Sequence, residues 1–264
     1  MAHVHSRKRT TFMEIQSKNA DPFGEAISDY YNNGKEAFLE TETDVTDAEK
    51  MSVSYLFRSY NHMPKLEKTA LQLSFGKVLD IGCGAGSHAL YLQNEQRLDV
   101  TALDLSAKAI EICQKRGLKK AFVFDITQFP LTEIRERFDT ILLLMNGTGI
   151  FGTLDGFAKA LPHLLALLTP NGQLLIDSSD IRYLFENNED GSIWVPHHKN
   201  YYGELDFTVR YKKNSTIQFP WVYIDYQTLH RIASALDAKC EQIDTGEHFD
   251  YLAKISVKKP GEPG

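Results

Sequence analysis

Residues 82–86, Gly-Cys-Gly-Ala-Gly, follow an apolar run at 78–81 and lead into an amphipathic stretch at 87–94. Three glycines in five residues strip the backbone of Cβ atoms. The chain there can take positive φ, and a ligand can reach van der Waals contact with main chain at a helix N-terminus. About 20 residues on, at the end of the next apolar run, stands Asp104, placed where one carboxylate accepts from both hydroxyls of a ribose. In Val123-Phe124-Asp125-Ile126 a further acid ends a third run, where an adenine amino group can donate to it. Loop and acid together indicate an adenosine-type cofactor. Each alone has a plain structural use, as a turn or a cap.

Spacing narrows the cofactor. A dinucleotide loop places its last small residue at the sixth position, which here is Ser87, while the third glycine arrives early at Gly86; a phosphate-binding loop would require Gly-Lys-Ser/Thr, which is absent.

The elements that must position these residues alternate. Strand patterns at 77–81, 99–105, 121–124, 140–145 and 173–178 are separated by helical patterns at 87–94, from the Ser106 N-cap to Gly117, near 132–137, and at 154–168. This order predicts a doubly wound α/β sheet, with the ligand at the carboxyl ends of its strands. Before it, helices are expected at 21–33 and 64–73. The acidic segment 40–49 reads as a solvated linker, with Asp47 capping a helix through Met51, Tyr55 and Leu56. After it, alternating runs at 205–211 and 216–221 form a hairpin signal. A helix at 225–236 and strands at 239–243 and 251–257 follow.

On Val78-Leu-Asp-Ile-Gly-Cys-Gly-Ala-Gly86, Asp104 and Asp125, the chain resembles class I S-adenosylmethionine-dependent methyltransferases over roughly 78–179. The resemblance implies a Rossmann-like seven-stranded sheet whose last strand, 251–257, is antiparallel, with S-adenosyl-L-methionine as cofactor. It also implies roles: Asp80 and the backbone of Gly82, Cys83, Gly84 and Gly86 at the methionine end, Asp104 on the ribose, Leu105 and Ile126 around the adenine, and Asp125 on its amino group. Met145 joins this cofactor set.

Met145-Asn146-Gly147-Thr148-Gly149 lacks the Asn/Asp-Pro-Pro-Tyr/Phe pattern of enzymes that methylate base amines and glutamine. Asn146 either orients an acceptor or makes a tight turn. Arg58 either pairs with a carboxylate of cofactor or acceptor, or lies on a helix surface. His197 and His198 are the candidates for a general base, although an amine or thiol acceptor held in line needs none. Asp177 and Asp180 either touch the acceptor or cap a turn. Tyr55, Tyr60, His62, Tyr183, Trp194, Tyr201 and Tyr202 suit a lid over a small-molecule pocket.

These readings divide the chain into a tail at 1–20, which is disordered or a cloning remnant, an N-terminal helical cap at 21–76, and a methyltransferase domain at 77–258. The domain carries a β-hairpin lid insertion at 181–222, and a short tail follows at 259–264. Of the 264 residues 42% are hydrophobic, enough for a sizeable core, and the net charge of −6 offers no basic field for a nucleic acid. The longest apolar runs, 141–145 and 164–168, fall far short of the roughly 20 residues a membrane span needs. Three cysteines without metal-ligand spacing and an N-terminus without an apolar signal core suggest a cytoplasmic protein with no metal. Two other functions fit the loop and the acids: a nucleotide-binding regulatory module without catalysis, and an NAD-dependent oxidoreductase that tolerates the early glycine.

Overall fold

The computed structural model describes residues 20–185, 199–213 and 215–257. The central strand, β3 (Lys77–Ile81), buries Val78, Leu79, Asp80 and Ile81 in succession. An unbroken buried run of this kind marks a strand covered by helices on both faces.

Around it stand β4 (Asp99–Asp104), β5 (Ala121–Val123), β6 (Phe138–Leu143), β7 (Leu168–Ser179), β10 (Ala238–Thr245) and β11 (Asp250–Val257). Their order across the sheet is β10-β11-β7-β6-β3-β4-β5. Pairing is parallel from β7 through β5, while β11 is antiparallel to both its neighbours. The fold class is therefore the expected one.

Helices α3 (Ser87–Asn94), α4 (Ala107–Lys115), α5 (Leu154–Ala166) and α6 (Tyr226–Ser234) cover the sheet. Ser106 caps α4, its Oγ accepting from Ala109 N at 3.0 Å. One core cluster packs α5 against β6 and β7 through Phe157, Leu161, Leu164, Ile141 and Ile176. Each such side chain, fully buried, contributes roughly 1.5–3 kcal/mol.

The N-terminal segment departs from the expected helical cap. Helix α1 (Pro22–Asn33) forms as read, capped by Asp21 and stopped by Gly34 at φ 60°. Helix α2 (Lys65–Leu73) forms as well. Between them, however, lie two strands, β1 (Phe38–Thr43) and β2 (Glu49–Ser52), and a 3-10 turn, Val53–Phe57, in place of a linker and a capped helix.

Their partner is remote. Hairpin strand β8 (Glu204–Tyr211) pairs with β1, placing Glu40 opposite Arg210, and β9 (Ser215–Val222) completes an antiparallel sheet ordered β2-β1-β8-β9. The hairpin forms as read, and it shares its sheet with N-terminal strands. The helix expected near 132–137 is absent: Thr132 and Glu133 make a turn, and charged Glu133, Arg135, Glu136 and Arg137 leave too little apolar surface for a buried face.

Candidate active site

The glycine loop closes the carboxyl end of β3. Gly82 N and Cys83 N both donate to Leu103 O, at 2.8 and 3.1 Å, which ties the turn to the end of β4. Gly82, Gly84 and Gly86 have φ of 74, 54 and 82°. A Cβ at Gly86 would stand 2.9 Å from Cys113 Sγ, so helix packing requires that glycine. A Cβ at Gly84 would meet nothing within 4 Å. There the missing side chain leaves open space beside bare backbone, the condition for a ligand to approach.

Asp104 borders that space on the side of Gly84. Its Oδ2 accepts from Gly84 N at 2.8 Å and its Oδ1 from Ser106 N at 2.8 Å. Burial pushes its carboxyl up, the Ser106 and Gly84 N–H groups oppose this, and the charge of Asp21 adds to it. Nothing local in the sequence ties Asp21 to this loop. It caps α1, and its Oδ2 accepts from Ser106 Oγ at 2.6 Å, which fastens the N-terminal helix to the loop after β4. Leu105 is half-buried, and Ile126 is in the core. Phe124 N donates to Asp104 O at 2.9 Å, which holds the Asp125 segment beside Asp104. The Asp125 carboxylate caps its own turn, accepting from Thr127 N at 3.0 Å, Thr127 Oγ1 at 2.6 Å and Gln128 Nε2 at 3.0 Å.

A second group of charges sits under the loop. Arg58 is buried, contrary to the surface alternative, and its guanidinium grips the Glu67 carboxylate and lies 3.9 Å from the Tyr55 ring centroid. His88 Nε2 stands 2.7 Å from the same carboxylate. Burial would raise the Glu67 pKa, but hydrogen bonds from His88 and Arg58 hold it below the ordinary range. Neither Glu67 nor His88 carries a motif signal. His88 was findable only as a polar residue on the helix that follows the glycines.

Next to this network, Asp80 is pushed up to about 6 by burial, with His88 opposing and Asp104 adding. Its Oδ2 is buried and has no partner, as is Arg58 Nε. An unpaired buried carboxylate oxygen is costly unless a cation meets it.

The carboxyl ends of β6 and β7 complete the arrangement. Met145 and Asn146 leave β6 at φ 63 and 58°. Asn146 N donates to Asp177 Oδ1 at 2.8 Å, and burial pushes the Asp177 carboxyl up to about 7, with Asn146 N–H opposing and Glu67 adding. Asp180 accepts from Tyr202 Oη at 2.8 Å and so serves the hairpin connection.

Thr148 Oγ1 stands 3.0 Å from Ser178 Oγ and donates to Val222 O at 2.8 Å, joining the turn to β9. The Trp221 indole lies flat against Gly149, where a Cβ would stand 1.8 Å from its Cε2. The antiparallel sheet is thus seated on the turn after β6. Trp194, His197 and His198 lie outside the described residues.

The set fits a cationic sulfur nucleoside: an open cradle at Gly84, a carboxylate at Asp104 for hydroxyls, and the unpaired Oδ2 of Asp80 for an ammonium.

Comparison with known proteins agrees. A family model for a methyltransferase domain matches residues 78–172. An S-adenosylmethionine-dependent methyltransferase from Bacteroides fragilis, solved in complex with S-adenosyl-L-homocysteine, is 41% identical, with 90% of this chain and 95% of that one covered and a TM-score of 0.79. The CcbJ methyltransferase from Streptomyces caelestis, at 14% identity, covers 91% of this chain and 100% of its own with a TM-score of 0.58. A sugar N-methyltransferase from Streptoalloteichus, at 15% identity, covers 81% and 96% with a TM-score of 0.55. The last two share the fold. No curated protein matches.

Proposed function

The chain belongs to the S-adenosylmethionine-dependent methyltransferases, and from that premise we propose that it methylates a small molecule held between the glycine loop and the antiparallel sheet. When bound, the cofactor supplies a methyl on a sulfonium, open to in-line displacement by an acceptor lone pair. Asp80 would meet the methionine ammonium, Arg58 the methionine carboxylate, Asp104 the ribose, and Leu105 and Ile126 the adenine, with Asp125 beside it. In this reading Gly82, Cys83, Gly84 and Gly86 lend backbone only, and Met145 and Asn146 border the place of transfer.

The seating of Trp221 on Gly149 carries the proposal for the acceptor. It puts the Trp221 ring, which has Phe207 and Phe219 at ring centroids 6.2 and 5.9 Å from it, against the turn that follows β6. Rings with few polar groups suit an enclosed pocket and leave little room for a macromolecule. Among the described residues no helix is long and apolar enough to cross a membrane. Neither the oxidoreductase nor the non-catalytic module draws support from the relatives.

The test is S-adenosylhomocysteine release with an extract divided into low-mass and macromolecular fractions. Product from the low-mass fraction is expected, and product from the macromolecular fraction alone would overturn the reading.

A further inference from the structure

The turn after β6 is built in an unusual way. Met145 and Asn146 are consecutive non-glycine residues in the left-handed region, at φ 63 and 58°, where Cβ crowds the following carbonyl. Gly147, the next residue, does not take up that conformation. Its glycine serves packing, because a Cβ there would stand 2.9 Å from Leu143 Cβ. A turn that served only to reverse the chain would put the glycine at the left-handed position. Here the strain falls on two side-chain-bearing residues, an arrangement that lasts only where neighbouring groups hold it.

Those groups come from one strand. Asp177 Oδ1 accepts from Asn146 N at 2.8 Å, and Ser179 Oγ donates to Asn146 Oδ1 at 3.0 Å. Positions 177 and 179 are two apart on β7 and so share a face, and both grip the same residue, one by its backbone and one by its side chain. With Oδ1 taken, the Asn146 NH2 has no partner among the described residues.

We propose that Asp177 and Ser179 are positioning residues that clamp Asn146, so that its side-chain NH2 faces the transferring methyl and there orients an oxygen or sp2 nitrogen of the acceptor. This rests on the methyl-transfer reading above. It assigns the acceptor a hydrogen-bond-accepting atom next to the site of methylation.

The test is nuclear magnetic resonance of the labelled full chain with S-adenosylmethionine carrying 13C in its methyl group. The wild type should show a nuclear Overhauser contact between that methyl and the Asn146 NH2. Asp177→Ala and Ser179→Ala should each lose the contact while binding the cofactor within about threefold of wild type. Asp177→Asn, which keeps an oxygen for Asn146 N–H, should retain it. Adding Met145→Gly to Asp177→Ala should restore it, because glycine takes the left-handed conformation freely.

Should Asp177→Ala fail to fold, Ser179→Ala and Asp177→Asn carry the test. A bound methyl without contact to Asn146, or a contact that survives in Ser179→Ala, overturns the clamp. No bound methyl signal at all overturns the cofactor reading beneath it.

Discussion

Gly84 N–H donates to Asp104 Oδ2 at 2.8 Å, so the bare loop after β3 and the carboxylate ending β4 meet directly. The contact defines one wall of a space that no side chain of the described residues fills near Gly84, since a Cβ there would touch nothing within 4 Å. Gly84→Ala should therefore fold, losing only about 1–2 kcal/mol to its φ of 54°. The new methyl would occupy the cradle, and calorimetric affinity for S-adenosylhomocysteine should fall at least about tenfold. Affinity equal to wild type would mean the ligand lies elsewhere.

Asp80 sets a pH dependence. Its folded pKa, about 6, is raised above the ordinary 3.8 by burial, with His88 opposing and Asp104 adding. Between those values the folded chain binds more protons than the unfolded one, so stability of the ligand-free protein falls as pH rises from about 4 to 6. The loss reaches up to about 3 kcal/mol. Asp80→Asn should reduce that slope, leaving the part that the raised Asp177 contributes, and melt higher than wild type at pH 8, while binding S-adenosylhomocysteine more weakly. Thermal denaturation across pH reads it; superimposable profiles would refute the assignment.

Glu67 joins Arg58 and His88 below the loop. Glu67→Gln leaves the Arg58 guanidinium buried without its counter-charge and alters the partner of His88. Removing one member of such a network costs about 3–5 kcal/mol, a fall in melting temperature on the order of 10 °C for a chain of this size. A shift of a degree or two would show that the network contributes little.

Gly149 supports Trp221. In Gly149→Ala the added Cβ would stand 1.8 Å from Trp221 Cε2, so the indole must move. Tryptophan emission should shift to the red, stability should drop by about 1–3 kcal/mol, and cofactor affinity should hold. An unchanged spectrum would show that the antiparallel sheet is not seated there.

The loop, Asp104 and the alternation of strands and helices were legible because their signals are local: glycines in one turn, an acid at the next strand end, a capping serine at Ser106. Strands β1 and β2 were not. Glu40, Glu42 and Glu49 give the acidic look of a linker, and Leu39 is the only fully buried residue of β1. What makes a strand of it is β8, far along the chain, where Arg210 pairs with Glu40 and Glu42. The same distance hid Asp21 and Glu67, whose partners Ser106 and His88 are joined to them only by the folded chain. Arg58 stands out as a charged residue among aromatics, but its burial depends on Glu67 and Tyr55 rather than on any periodicity.

The most direct measurement is a calorimetric titration of wild type and Asp104→Ala with S-adenosylhomocysteine. If Asp104 accepts from both ribose hydroxyls as proposed, removing it forfeits two contacts to a charged acceptor, at about 1.5–3 kcal/mol each, and should weaken binding at least about a hundredfold. Equal affinity in the two proteins would contradict the placement of the cofactor against the wall that Gly84 and Asp104 form.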